Sequence, residues 1–303
     1  MKGERRLDLR ADRSVPNLIT ERARAKVNLT LEVLGRRPDG HHELNSLVAF
    51  ADFGDTLTLR PAHQWRLTTT GPMSGAIIGG NIVDRAAAGV AAAWPMAATG
   101  EAHLEKLLPV FAGIGGGSAD AAAALRALRR LNAGIPGEAD VNWTALARRL
   151  GADVPVCLAS SLSRMQGIGE RVQMFSTRHT LAAVLVNPGV AVSTAAVFAE
   201  LAAPALGNVQ LNQPFHEPAT TVDLLALVSA SSNDLETPAI RGVPAIGEVL
   251  GRLAATRDCQ LARMSGSGPT CFGLYETEAA AEAAAREIAE VSPDWWVRAT
   301  LLS

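Results

Sequence analysis

Hydrophobic and polar positions alternate along residues 24–33. Ala25, Val27, Leu29, Leu31 and Val33 share one parity; Arg24, Lys26, Asn28, Thr30 and Glu32 share the other. Period-two alternation predicts a half-buried strand. The Pro-Asp-Gly core of residues 36–42 predicts a turn. Short strands follow at 44–51, 56–59 and 65–69. Asn81 opens an Ala-rich helix that Pro95 stops. Residues 103–111 read as a strand leading into a glycine cluster and a second helix, and residues 141–151 as a helix closed by Gly151.

Beyond residue 161 the pattern restarts. An apolar run of strand length occupies 181–186 and a helix 193–201. Residues 203–219, rich in Pro, Asn and Gln, read as a long surface loop. Helices at 219–228 and 245–255 follow, then strands at 260–265 and 270–275, a helix at 278–289 and a last strand at 296–301. The first 20 residues are polar and aperiodic, which predicts a loose arm. The restart divides the chain into domains over 1–160 and 161–303, and no segment repeats.

Composition narrows the classes. With 303 residues, 48% hydrophobic and 19% charged, the chain can bury one large core or two ordinary ones. A net charge of −2 and a single Tyr argue against a nucleic-acid surface. The three Cys are dispersed with no CxxC pair, so neither a disulfide framework nor a zinc ribbon is expected. The opening residues are too charged for a secretion signal. The longest stretch without Asp, Glu, Lys or Arg, 179–199, is broken by Asn187-Pro188-Gly189 and reads as strand, turn and helix, not as a membrane span. A soluble, cytoplasmic protein is expected.

The most informative segment runs from Pro109 through Val110, Phe111, Ala112, Gly113, Ile114, Gly115, Gly116, Gly117, Ser118 and Ala119. Ala121, Ala124, Leu125, Leu128 and Leu131 then form an apolar helical stripe, with Ser118 the expected N-cap. Glycines let a backbone approach an anion, and the free N–H groups at a helix start point at it. Three readings stand: a plain turn before a core helix, a dinucleotide fingerprint running Gly113-x-Gly115-x-x-Ser118, or a phosphate loop of another type. The fingerprint reading has Asp140 at about the right distance, but in a loop-like context and deep in the chain. No Gly-Lys-Ser/Thr follows, which excludes a Walker A loop. His41-His42-Glu43-Leu44-Asn45 is not HExxH, so no metal site is expected.

These residues resemble the second, ATP-binding motif of the GHMP kinases. Other segments resemble that family in the same order: residues 25–44, Leu150-Gly151-Ala152-Asp153-Val154-Pro155, Ser232-Asn233-Asp234-Leu235-Glu236 and residues 262–276. The resemblance runs from about residue 23 to 276. It implies an α+β, two-domain GHMP-kinase fold, with an N-terminal ribosomal-protein-S5-domain-2-like part and a C-terminal ferredoxin-like α/β sandwich. Within the family it points to a branch that phosphorylates a cytidine-diphosphate-linked sugar alcohol in isoprenoid precursor synthesis.

What the resemblance implies for residues follows position by position. Asp153 matches the general base and Lys26 the lysine beside it. Asn28, His41, His42, Thr194, Phe198 and Gly266, with Asp153, match acceptor-binding positions. The family usually has Tyr where this chain has His41. Asn81 and Lys106, with the run Pro109–Ala119, match nucleotide-binding positions. ATP is the expected phosphoryl donor and Mg2+ its companion, with Ser118 the one protein ligand that can be named. A monomer or weak homodimer without nucleic-acid or membrane partners is expected. Two alternatives stay open: a kinase of another small alcohol such as homoserine or mevalonate, and a non-catalytic nucleotide-binding protein.

Overall fold

The computed structural model describes residues 17–77, 79–176, 178–207 and 216–303. The predicted arm thus lies outside the described residues up to residue 16, and so do residues 208–215 of the predicted loop. Ile19 and Thr20, read as part of the arm, already belong to the first strand because Ile19 is fully buried against Leu59.

The first half runs β1 (Ile19–Asn28), β2 (Glu32–Arg36), β3 (His42–Ala62), β4 (Arg66–Thr70), α1 (Ile82–Ala93), β5 (Thr99–Glu105), α2 (Gly116–Leu131), α3 (Trp143–Leu150) and α4 (Val154–Ala159). Then come β6 (Ser163–Gly167), β7 (Arg171–Met174), β8 (Leu181–Asn187), α5 (Thr194–Leu201), α6 (Thr221–Ser229) and α7 (Glu236–Gly242). The chain closes with α8 (Ala245–Ala255), β9 (Cys259–Met264), β10 (Cys271–Tyr275), α9 (Glu278–Val291) and β11 (Trp296–Leu302).

The strands follow the order β4-β5-β3-β11-β8-β10-β9, with β1, β2 and β6 also on β3 and β7 on β6. The N-terminal and C-terminal sheets meet at one paired position, Leu302 with Ala51. The β6–β7 hairpin lies beyond residue 161 in sequence yet pairs with β3, at Leu44 with Gly167.

Three sequence expectations change. The alternating run 24–33 is two strands, because Leu31 leaves β3 and bonds through its N–H to Ser232 O at 2.9 Å. The strands expected at 44–51 and 56–59 are one continuous β3. Gly54, between the two expected strands, lets β3 pass Ala23: a Cβ there would stand 2.1 Å from Ala23 O. The strand expected at 103–111 stops at Glu105, where Lys106 turns into the glycine loop.

Packing explains the Ala-rich helix. Ala119, Ala121–Ala124 and Ala127 of α2 are all buried along with the Leu stripe, so the helix is buried nearly all round. Small side chains let β1, α1, α3, α4 and β3 all approach it. A second cluster draws on both halves of the sheet around Val27, Leu29, Leu185 and Phe272, and a third joins β8 to α8 and α9 around Val184, Val249 and Ile288.

Candidate active site

Backbone bonds tie three distant segments around the glycines. Lys26 N–H donates to Ile114 O at 2.9 Å, and Thr270 N–H to Ala112 O at 3.2 Å. Ser265 joins them through its side chain: Oγ donates to Gly113 O at 3.2 Å and accepts from Asn28 N–H at 3.0 Å. Such close approach needs glycine. Gly113 has φ +72°, and a Cβ there would lie 2.5 Å from Gly268 O. Gly115 has φ +64°, and its Cβ would stand 3.2 Å from Lys26 Cε. Gly266, also left-handed at φ +58°, packs beside Gly113 O and Asn28 Oδ1.

The N-cap of α2 is Gly115, not Ser118 as the sequence suggested. Gly116 and Gly117 take helical backbone, so the helix starts earlier and Ser118 is its third residue. The first helical bond runs from Ala119 N–H to Gly115 O at 2.8 Å. The N–H groups of Gly116, Gly117 and Ser118 therefore lie ahead of the helix ladder, an anion-binding arrangement.

Beside this turn Lys26 Nζ stands 3.0 Å from Asp153 Oδ2. The lysine side chain is 5% exposed and the aspartate 35%. Asp153 occupies the N-cap position of α4, yet its carboxylate makes no capping bond; the ion pair takes its place. Lys26 also donates to Asn28 Oδ1 at 2.9 Å, and Asn28 Nδ2 donates to Ser46 Oγ at 2.8 Å. The end of β1 is thus covered on both faces, which removes the solvated-lysine alternative. Cys157, one turn into α4, has its thiol pushed up to about 12, by burial first and Asp153 next, so it is no nucleophile.

Lys106 has a different setting. Its ammonium lies 2.5 Å from Asp55 Oδ2 and 2.7 Å from Asp120 Oδ2, all three side chains sealed from solvent. Its N–H donates to Thr70 O and its carbonyl accepts from Met73 N–H. Asp55 Oδ1 further accepts from the N–H groups of Leu107 and Leu108 at 2.6 and 2.8 Å. Burial lowers the Lys106 pKa, but Asp120 and Asp55 raise it by more. Asn81 caps α1, its Oδ1 accepting from Val83 N–H at 3.0 Å. Between these, Pro109 and Val110 are half-buried, while Phe111 is exposed at φ +55°. Ala112, Ile114 and Ala119 are buried supports.

A second group lies at the β2–β3 turn. His41, His42 and Phe198, with Arg36, Ile168 and Ala195, line a cavity of about 560 Å3. The rings of His42 and Phe198 stack with centroids 4.6 Å apart and planes at 20°. Burial, then Arg36 and His41, hold His42 below its ordinary pKa, so at neutral pH its ring has one donor and one acceptor nitrogen. His41 is exposed, with Nδ1 3.4 Å from Asp39. Thr194 begins α5 and shares a 2.8 Å hydrogen bond with Ser267 Oγ, which links the helix to the 265–270 loop.

The fold therefore brings Lys26, Asn28, Asp153, Gly113–Gly115 and Gly266 into one cluster. His41, His42 and Phe198 form another, joined to the first through β3. Sequence reasoning missed Ser46, Asp55, Asp120, Ser265 and Ser267. The two last stand in the Ser265-Gly266-Ser267-Gly268 run, and Asp120 follows the glycines after Ser118 and Ala119. Asp55 carried no sequence signal. Among the described residues no three His, Cys, Asp or Glu side chains are grouped to hold a metal ion. Nor is any described helix long and apolar enough to cross a membrane.

The family profile "GHMP kinases N terminal domain" matches residues 81–161, and "GHMP kinases C terminal" matches 220–294. The chain is 49% identical over 281 residues to a protein of Parvibaculum lavamentivorans named 4-diphosphocytidyl-2-C-methyl-D-erythritol kinase, covering 92% of this chain and 96% of that one. A protein of the same name from Bradyrhizobium sp. is 46% identical over 299 residues, covering 96% and 99%. The crystal structure of a 4-(cytidine 5'-diphospho)-2C-methyl-D-erythritol kinase superposes with TM-score 0.74 at 34% identity, covering 94% of this chain and 99% of that one. Homoserine kinase from Cytophaga hutchinsonii shares the fold, with TM-score 0.69 at 18% identity over 96% of each chain. Glycine turn, fold and sequence agree that this chain belongs to the GHMP kinase family.

Proposed function

We propose that the chain transfers the γ-phosphoryl group of ATP to the 2-hydroxyl of 4-diphosphocytidyl-2-C-methyl-D-erythritol. GHMP kinases use ATP, and relatives near half identity over almost the whole chain carry the name of this activity. The observation that carries the mechanism is the Lys26–Asp153 contact beside the glycine turn.

In this reading the triphosphate lies over the free N–H groups of Gly116, Gly117 and Ser118. The acceptor hydroxyl sits at Asp153. Its oxygen attacks the γ-phosphorus in line while the bond to the β–γ bridging oxygen breaks. Asp153 takes the hydroxyl proton, and ADP leaves. Lys26 keeps the carboxylate ionised and offsets charge on the moving phosphoryl group. Asn28, fixed by Ser46, holds the lysine. Catalysis of this kind is mostly positioning and charge stabilisation.

Mg2+ would supply charge neutralisation on the phosphates. The described residues do not form a cage for it, so the triphosphate itself would be its main ligand, with Ser118, the one hydroxyl of that turn, as the protein's contribution. The neutral His42 ring and Phe198 suit a cytosine, which presents a flat face and both donors and acceptors on its edge. His41 takes the rim position. We further read the chain as two domains divided near residue 160, with 1–160 binding nucleotide, and as a cytoplasmic monomer or weak homodimer.

The test is an ADP-release assay over a panel of alcohols. Turnover is expected with the cytidine-diphosphate-linked methylerythritol. Turnover only with homoserine or mevalonate would overturn the acceptor. ATP binding without turnover on any alcohol would favour a non-catalytic nucleotide-binding protein.

A further inference from the structure

Lys106 is the residue whose setting departs most from its expected place in a nucleotide pocket. Its ammonium, N–H and carbonyl are all bonded within the protein. Yet it is not remote from the phosphate turn. A Cβ on Gly116, the first residue of α2, would lie 3.8 Å from Lys106 Nζ. The carboxylates it meets have unequal support. Asp55 accepts two backbone N–H bonds as well as the lysine. Asp120 accepts the lysine on Oδ2, while its Oδ1 is buried without a hydrogen-bond partner among the described residues.

Asp120 is the fifth residue of α2, and helical side chains lean toward the N-terminus. Its carboxylate thus lies under the turn whose N–H groups face outward. Negative charge there satisfies the helix dipole from inside and competes with an external phosphate for the same attraction.

Resting on the proposed binding of ATP at this turn, we infer that Lys106 is a positioning residue for the nucleotide: it neutralises Asp55 and Asp120 beneath the first turn of α2, so that the turn stays attractive to phosphate. It does this without touching the nucleotide. Burial raises the Asp120 pKa to about 8, with Lys106 lowering and Asp55 raising it, so Asp120 carries the charge that Lys106 offsets only toward alkaline pH.

A purely mechanical anchor makes a different prediction, so second-site compensation separates the two. ADP binding is measured by isothermal titration on the full chain at about pH 9, above the Asp120 titration, with steady-state kinetics in parallel. Lys106→Met should weaken ADP by about tenfold or more, and raise the KM for ATP by a larger factor than it lowers kcat. Adding Asp120→Asn should recover most of that loss. A mechanical anchor, once removed, is not restored by a second deletion. Failure of Lys106→Met/Asp120→Asn to regain affinity overturns the inference, as does unchanged ADP binding in Lys106→Met. Should Lys106→Met alone not fold, Asp120→Asn decides: ADP binding as tight as in the unaltered protein, or tighter, supports neutralisation, and weaker binding overturns it. Absence of ADP binding by the unaltered protein would overturn the nucleotide reading and this inference with it.

Discussion

Two lysines reach adjacent residues of one glycine turn, Lys26 at Gly115 and Lys106 at Gly116. Lys26 meets one carboxylate, Asp153, that is 35% exposed. Lys106 meets two, Asp55 and Asp120, neither more than 4% exposed. An ammonium with an accessible partner can share it with an incoming hydroxyl. One sealed between two carboxylates cannot leave without stranding buried charge, at a cost of about 3–5 kcal/mol. Solvent access of the partner, more than the distance between charges, separates a pair suited to chemistry from one suited to architecture.

The contrast can be broken most sharply at the acids. Asp153→Asn should lower kcat by about a hundredfold or more, within the 10²–10⁴ range of general-base catalysis, with little change in ADP affinity. Steady-state kinetics with ADP titration would check this, and a variant keeping most of its kcat would put proton transfer elsewhere. The carboxylate is partly solvated but Lys26 is only 5% exposed, so the unfolding free energy should fall, though by less than in Asp55→Ala. Asp55→Ala should instead lose about 3–5 kcal/mol of stability in denaturant unfolding, because Lys106 and two backbone N–H groups lose their acceptor.

Gly113→Ala comes next. The left-handed φ alone costs about 1–2 kcal/mol, and the added Cβ meets the Gly268 carbonyl. A loss of about 2 kcal/mol or more is expected, together with a raised KM for ATP. At the other end, Phe198→Ala should raise the KM of the acceptor about threefold to tenfold, from lost stacking, and leave the KM for ATP alone.

A pH series sharpens the comparison last. Asp120 is raised from an ordinary 3.8 to about 8. A raised carboxyl favours the folded state fully below pH 4, and that contribution is lost as pH rises from about 4 to about 8. The stability of the unaltered protein relative to Asp120→Asn should therefore fall across that window, as read from urea midpoints. A flat difference would mean that Lys106 fully supports the ionised acid.

Much of this was readable in the sequence where the local signal was strong. The helix at 245–255 keeps its expected bounds as α8, and the apolar run at 181–186 is β8 with one residue added. The glycine turn and its helix were legible because only glycine tolerates such backbone and because the Leu stripe is long. What failed lacked periodic signal. The helix α4 is six residues long, α7 contains Pro238 and Gly242, and β6 and β7 are polar and flanked by glycines. The Lys26–Asp153 contact came from family resemblance alone. No spacing rule joins residues over a hundred positions apart, and Asp55, set within β3, looks like any strand aspartate until Lys106 is placed beside it.

The stacked rings of His42 and Phe198 carry one more consequence. One comes from β3 and the other from α5, and each already satisfies its partner. A flat guest entering between them must first displace that contact, worth about 0.5–1.5 kcal/mol. The crevice therefore holds its own rival, and molecules that stack no better than one ring on the other gain nothing by parting them.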